Sequence, residues 1–145
     1  MQLREIMTKD VEVISPDIPL QQAAQRMREK DTGFLPVGEN DRLVGTLTDR
    51  DITVRAVADG RDPKATRVRE AMSEKIVYCF DDQDTKEAAQ IMGEHQIRRL
   101  PVLNREKRLV GVVSLGDIAS EARETRTVGA ATQQVSQKTG QNRRM

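Results

Sequence analysis

Arg98-Arg99-Leu100-Pro101-Val102, a short charged turn, and then Leu109-Val110-Gly111-Val112-Val113-Ser114-Leu115-Gly116-Asp117-Ile118 form the stretch from which the rest of the chain can be read. Two apolar, β-branched runs separated by a short polar segment predict a hairpin. Ser114, followed three residues later by Asp117, predicts a helix that starts where the second strand stops. Polar groups able to hold a ligand therefore gather at that corner. The first half of the chain says the same thing again: Leu35-Pro36-Val37, a turn, then Leu43-Val44-Gly45-Thr46-Leu47-Thr48-Asp49-Arg50-Asp51-Ile52.

The duplication extends further. Leu3-Arg4-Glu5-Ile6-Met7-Thr8 aligns with Val68-Arg69-Glu70-Ala71-Met72-Ser73, and the same offset holds as far as Pro36 and Pro101. Each copy predicts a strand (Val11-Glu12-Val13-Ile14; Ile76-Val77-Tyr78), a helix, two strands covered on both faces, and a closing helix (Asp49 to Ala58; Leu115 to Glu124). Pro19 suits the start of the first helix, with Leu20, Ala23, Ala24 and Met27 on one face. Asp84 with Glu87 forms a capping-box pattern at the start of its counterpart, where Thr85, Ala88, Ala89 and Met92 keep the same phase. The expected fold class is therefore α/β (α+β), with two β-α-β-β-α repeats. A half of about sixty residues with few large side chains buries too little to stand alone, so the repeats are expected to pack through their sheets with pseudo-twofold symmetry. The expected divisions are residues 1–62 and 63–124, with Asp59-Gly60-Arg61-Asp62-Pro63 as helix stop and linker, and a polar, disordered tail over 125–145.

Composition excludes several classes. Charged residues make up 32% of the chain, yet the net charge is only +1, so no field favours nucleic acid or an anionic membrane surface. Phe34, Phe80 and Tyr78 are the only aromatic residues, too few for a base-stacking platform. No run of about 18 apolar residues is present to span a bilayer, and the first thirty residues hold no signal-like apolar stretch. With the single cysteine, Cys79, fitting a reducing compartment, a cytoplasmic location is expected.

The repeated unit, with Gly-hydrophobic-hydrophobic-Ser/Thr-x-x-Asp-hydrophobic at the last strand-to-helix join, resembles the cystathionine-β-synthase (CBS) domain. Two in tandem resemble a CBS pair, or Bateman module, over residues 3 to about 122, and most of all the stand-alone CBS-pair proteins of bacteria. The resemblance implies a regulatory protein that binds an adenosine nucleotide (AMP, ADP or ATP) between repeats, needs no cofactor, and signals energy or stress state to a protein partner. It implies one cleft with Ser114, Asp117, Arg98 and Arg99 at the phosphate and ribose end and Ile14, Thr32, Gly33 and Phe34 near the base. The second cleft would use Thr48, Arg50 and Asp51, with Cys79, Ile97 and Arg98 near the base. A carboxylate can accept from vicinal hydroxyls, and arginine offers phosphate a fork of donors. Other readings are a binder of NAD or S-adenosylmethionine, and a ligand-free structural or stress-response protein.

Plainer explanations compete at each position. Thr48-x-x-Asp51 and Ser114-x-x-Asp117 are helix capping boxes whether or not they bind anything. Arg98 and Arg99 are by default a solvated pair, and Met7, Met27, Met72 and Met92 recur as core positions. One His and one Cys fall short of a zinc site. No nucleophile–base pair suggests an enzyme, and Asp49 with Asp51 reads as a charged helix start. A homodimer is expected, with Ile52-Val54-Ala56 and Ile118-Ala119-Ala122 on its face.

Overall fold

The computed structural model describes residues 1–121 and 129–136. In chain order the elements are α1 (Leu20–Lys30), β1 (Phe34–Glu39), β2 (Arg42–Thr48), α2 (Asp49–Ile52), β3 (Cys79–Phe80), α3 (Thr85–His95), β4 (Arg99–Leu103), β5 (Leu109–Ser114) and α4 (Leu115–Glu121). A further helix, α5, runs over residues 129–136. The β1–β2 and β4–β5 pairs are antiparallel hairpins, and β3 joins β4 in parallel.

Two compact units divide the chain, and they do not coincide with the sequence repeats. One is contiguous, Glu12–Ile76; the other is composite, Met1–Val11 together with the chain from Val77 onward. Each repeat thus lends its opening segment to the unit containing the other's sheet. In the composite unit Thr8 donates to Val112 O at 2.9 Å and Val112 returns the bond at 3.0 Å; in the contiguous unit Ser73 and Thr46 exchange bonds of 2.9 and 3.0 Å. The repeated Met-Thr/Ser and the repeated glycine explain each other there. A Cβ on Gly111 would lie 2.7 Å from Met7 Sδ and 2.8 Å from Thr8 O, and one on Gly45 would lie 2.9 Å from Met72 Sδ and 2.7 Å from Ser73 O. Only glycine admits the added segment.

The cores follow the same division. Leu3, Cys79, Ala88, Ala89, Met92, Leu100, Val102, Val113 and Ile118 fill the composite unit. Ile14, Leu20, Ala23, Met27, Leu35, Val37, Leu47, Val68, Ala71 and Met72 fill the contiguous one. β1 and β4 bury consecutive residues as expected, whereas β2 and β5 alternate between buried and half-buried positions.

Several expectations require correction. Val11 to Ile14 is not a strand: Ile14 makes one isolated parallel bridge, to Val37. In the second repeat the strand lies later, at Cys79–Phe80. Ala24 is exposed although Ala89 is buried. Asp84 caps α3 by accepting from Lys86 N–H at 2.8 Å, but Glu87 accepts from Gln83 Nε2 instead of closing a box. α2 is a single turn followed by a π-helical stretch, Thr53–Val57, where Ile52, Thr53 and Val54 place three β-branched side chains in succession. Of the expected dimer face, Ala56 and Ile118 point into the cores, Val54 is exposed beside Val57, and Ala122 lies outside the described residues.

The tail contains structure that its composition conceals. α5 buries Ala131 and Val135, one helical turn apart, and Ala131 joins the composite core. Gly93 of α3 permits the approach, since a Cβ there would strike the Gln134 side chain and lie 3.3 Å from Ala131 Cα. Gln96 Nε2 donates to Gln134 O at 3.2 Å. Residues 125–128 and 137–145 of the expected tail, and the last residues of the expected closing helix, lie outside the described residues.

Candidate functional site

In the composite unit β4 and β5 place Arg99 directly opposite Ser114. The next backbone bond, Leu115 N–H to Arg98 O at 2.9 Å, carries the pairing into the first turn of α4. Ser114 Oγ accepts from Asp117 N–H, and Asp117 Oδ2 accepts from Ser114 N–H, both at 3.0 Å. The capping box is therefore fully formed. It engages one oxygen of Asp117; among the described residues Oδ1 of this half-buried carboxylate has no bonded partner. Arg98 and Arg99 are exposed, and among the described residues neither guanidinium has an ion-pair partner. The backbone thus brings four of the expected residues to one corner, with a hydroxyl, a carboxylate with a spare oxygen, and two exposed arginines that have no ion pair among the described residues.

The contiguous unit builds the same corner with other side chains. Phe34 pairs with Thr48, and Asp49 N–H donates to Gly33 O at 3.0 Å. Thr48 Oγ1 accepts from Asp51 N–H at 3.0 Å and Asp51 Oδ2 from Thr48 N–H at 2.9 Å. Here the second carboxylate oxygen faces Arg55 Nε at 4.0 Å, and Arg55 also donates to Met72 O at 2.9 Å. Arg55 was not singled out in the sequence; its spacing of four from Asp51 was the available signal. Arg50 is exposed and has no ion pair among the described residues.

The residues expected near the base are less available. Ile14 and Cys79 are buried in their cores. The Thr32 hydroxyl is tied to Phe34, accepting from its N–H at 3.3 Å and donating to its carbonyl at 3.2 Å. Ile97 is half-buried and donates its N–H to Met92 O at 2.9 Å. Ile14, Thr32, Gly33 and Phe34 belong to the contiguous unit, whereas Cys79 and Ile97 belong to the composite one. Cys79 cannot present its thiol: it is fully inaccessible, and burial, aided by the charge of Glu87, pushes the thiol up to about 11.

A family model described as CBS domain matches residues 3–57 and 68–124. The CBS domain-containing protein YhcV of Bacillus subtilis is 40% identical over 134 residues, which cover 92% of this chain and 94% of that protein. Hypoxic response protein 1 of Mycobacterium tuberculosis is 44% identical over 117 residues, covering 80% of this chain and 81% of that one. The crystal structure of Hypoxic Response Protein I with two coordinated zinc ions matches with a TM-score of 0.74 at 42% identity, covering 82% of this chain and 97% of that chain. The CBS domain pair of protein MJ0100, in complex with 5′-methylthioadenosine and S-adenosyl-L-methionine, shares the fold with a TM-score of 0.76 at 23% identity, covering 86% and 98%. Among the described residues no three His, Cys, Asp or Glu side chains converge, and Cys79 is buried with its proton retained.

Proposed function

This chain belongs to the CBS domain family, as a tandem pair, and we propose that it is a regulatory module that binds an adenosine nucleotide (AMP, ADP or ATP) at the Ser114 corner and relays its occupancy to a protein partner. The observation that carries this reading is the pair of exposed, uncommitted guanidiniums of Arg98 and Arg99 beside a capping box whose carboxylate keeps one oxygen free. Asp117 Oδ1 accepts a ribose hydroxyl while Oδ2 stays on Ser114 N–H, so capping and binding coexist. Phosphate is taken by the two arginines, with the Ser114 hydroxyl free to donate while it accepts from Asp117 N–H. Charge-assisted bonds of this kind are worth about 1.5–3 kcal/mol each. Two or three of them, with partial burial of the base, reach micromolar binding, about −8 kcal/mol, after association costs.

The phosphate end separates the alternatives. NAD and S-adenosylmethionine share the adenine and ribose, but the second carries a sulfonium where a nucleotide carries its first phosphate, and so offers Arg98 and Arg99 no phosphate. A thermal-shift panel of AMP, ADP, ATP, NAD and S-adenosylmethionine ranks them, because a ligand at 100 times its dissociation constant adds ~2.7 kcal/mol of stability. Calorimetry with the best nucleotide then tests the site. Asp117→Asn keeps an acceptor for the cap and weakens ribose binding about tenfold or more, the loss of one charge-assisted bond. Unchanged affinity would reduce Asp117 to a helix cap and remove this assignment.

A further inference from the structure

α1 and α3 are equivalent helices of eleven residues each, yet their outer surfaces differ. Ala24 and Arg28 of α1 are exposed, whereas the corresponding residues of α3, Ala89 and Gly93, are buried. α5 meets α3 at Gly93. A Cβ there would fall 3.3 Å from Ala131 Cα and collide with the Gln134 side chain, so the two helices approach with no side chain from position 93 between them. Val135, one turn beyond Ala131, is buried as well, and Gln96 Nε2 donates to the backbone carbonyl of Gln134 at 3.2 Å. The α3 surface therefore reads three features of a helix: a small residue at the close approach, a carbonyl three residues on, and an aliphatic side chain four residues on. α1 offers no such seat, because Arg28 stands where the glycine would have to be.

The occupant of that seat is lightly held. α5 buries Ala131 and Val135 alone among its described residues, and from Gly129 to Ser136 it carries no charge in a chain whose residues are 32% charged, so no side-chain ion pair anchors it. Isolated helices shorter than about 12–15 residues are marginal in water. α5 thus takes its order from α3, and a helix that arrives already formed competes with it on favourable terms. We propose that the α3 groove around Gly93 is a docking surface for an amphipathic helix of a partner protein, and that α5 is the cover which such a helix displaces. The seat fixes the chemistry of that helix. Its contact face carries alanine or glycine at the close approach and an aliphatic residue four positions later, and it is uncharged there, because a charge at either buried place would lose its water without gaining a partner. The inference stands on the packing of α5 and does not use the nucleotide reading of the Ser114 corner.

Fluorescence anisotropy on the full chain tests this with a labelled peptide of residues 126–139, held helical by a hydrocarbon staple between positions 129 and 133, both of which are exposed. Three proteins are compared: the unaltered chain, Val135→Asp, which empties the groove, and Val135→Asp with Gly93→Leu, which fills it again. Melting curves verify that each is folded, and Gln96→Ala, which removes the donor to the docked helix, replaces Gly93→Leu if that variant does not fold. The peptide should bind the Val135→Asp chain about tenfold or more tighter than the unaltered chain, where docked α5 leaves only a fraction of the groove open. Gly93→Leu should abolish that binding and Gln96→Ala should weaken it. Saturating peptide on the unaltered chain should raise hydrogen exchange across residues 129–136 while Met92 to Gln96 stay protected. A folded Val135→Asp chain that ignores the peptide would overturn the proposal, as would binding to the unaltered chain that leaves α5 protected. If unlabelled unaltered chain drives the peptide off the Val135→Asp chain as effectively as unlabelled peptide does, the occupant is α5 of a second copy and the partner reading falls.

Discussion

Cys79 shows what a residue's identity conveys and what only its surroundings add. It directly follows the apolar run Ile76-Val77-Tyr78, and the structure buries it completely. Its expected place near a ligand's base does not extend to its thiol, which lies in the core. Burial moves the thiol from an ordinary 9.0 to about 11. The sign follows directly: the unfolded chain begins to release this proton near pH 9.0 while the folded chain holds it, so this residue's contribution to stability is intact below that pH and declines as pH rises toward about 11. Cys79→Ala should therefore flatten the fall in melting temperature between pH 9 and 11, and a thiol reagent at pH 8 should label the native protein no faster than it unfolds. Rapid labelling under native conditions would contradict the burial. The capping boxes taught a different lesson. Both were legible, and both formed, but the sequence could not say that Asp51 would face Arg55 while Asp117 kept an oxygen free.

Helices and hairpins that rest on long apolar phases were readable, whereas short elements held by tertiary contacts were not. α1 and α3 run where their periodicity put them. The expected strand at Val11 to Ile14 shrank to a single bridge because a run of four β-branched or charged residues specifies extension without specifying a neighbour. α5 escaped notice for the opposite reason. Its surroundings in sequence are polar, and only Ala131 and Val135 mark an apolar face, so an eight-residue helix is too short to announce itself and forms on the surface that Gly93 leaves open. That dependence is testable. Val135 is 6% exposed, and burying such a side chain is worth about 1.5–3 kcal/mol. Val135→Asp should forfeit at least that amount and undock α5, with hydrogen exchange rising around Met92 to Gln96 while β1 and β2 keep their protection. Unaltered exchange in α3 would mean that α5 contributes nothing to its cover.

For the whole molecule, the exchange of opening segments is the feature that the repeat hid, because a sequence offset is the same whichever sheet each segment joins. The family model and the internal repeat both divide the chain near the linker, yet the compact units do not. A chain cut between residues 62 and 63 would leave the contiguous unit without Val68, Ala71 and Met72, all 5% exposed or less, and without the Ser73 bridge to Thr46. Val68 and Met72 alone represent ~3–6 kcal/mol of apolar burial, comparable with the whole stability of a small domain, about 5–15 kcal/mol. The other piece would lose Leu3 from its core and the Thr8 bridge to Val112. Pieces 1–62 and 63–145 should therefore each lack a cooperative melt and slow-exchanging amides in their hairpins, and both properties should return when the two are mixed in equal amounts. The glycines supply a second arm. Gly45→Val in the full chain should mimic the cut for the contiguous unit, since its side chain would occupy the space of Met72 Sδ and Ser73 O and drive the segment off β2. A cooperative melt and native amide protection in the hairpin of isolated 1–62 would show that the opening segments decorate the units and do not complete them.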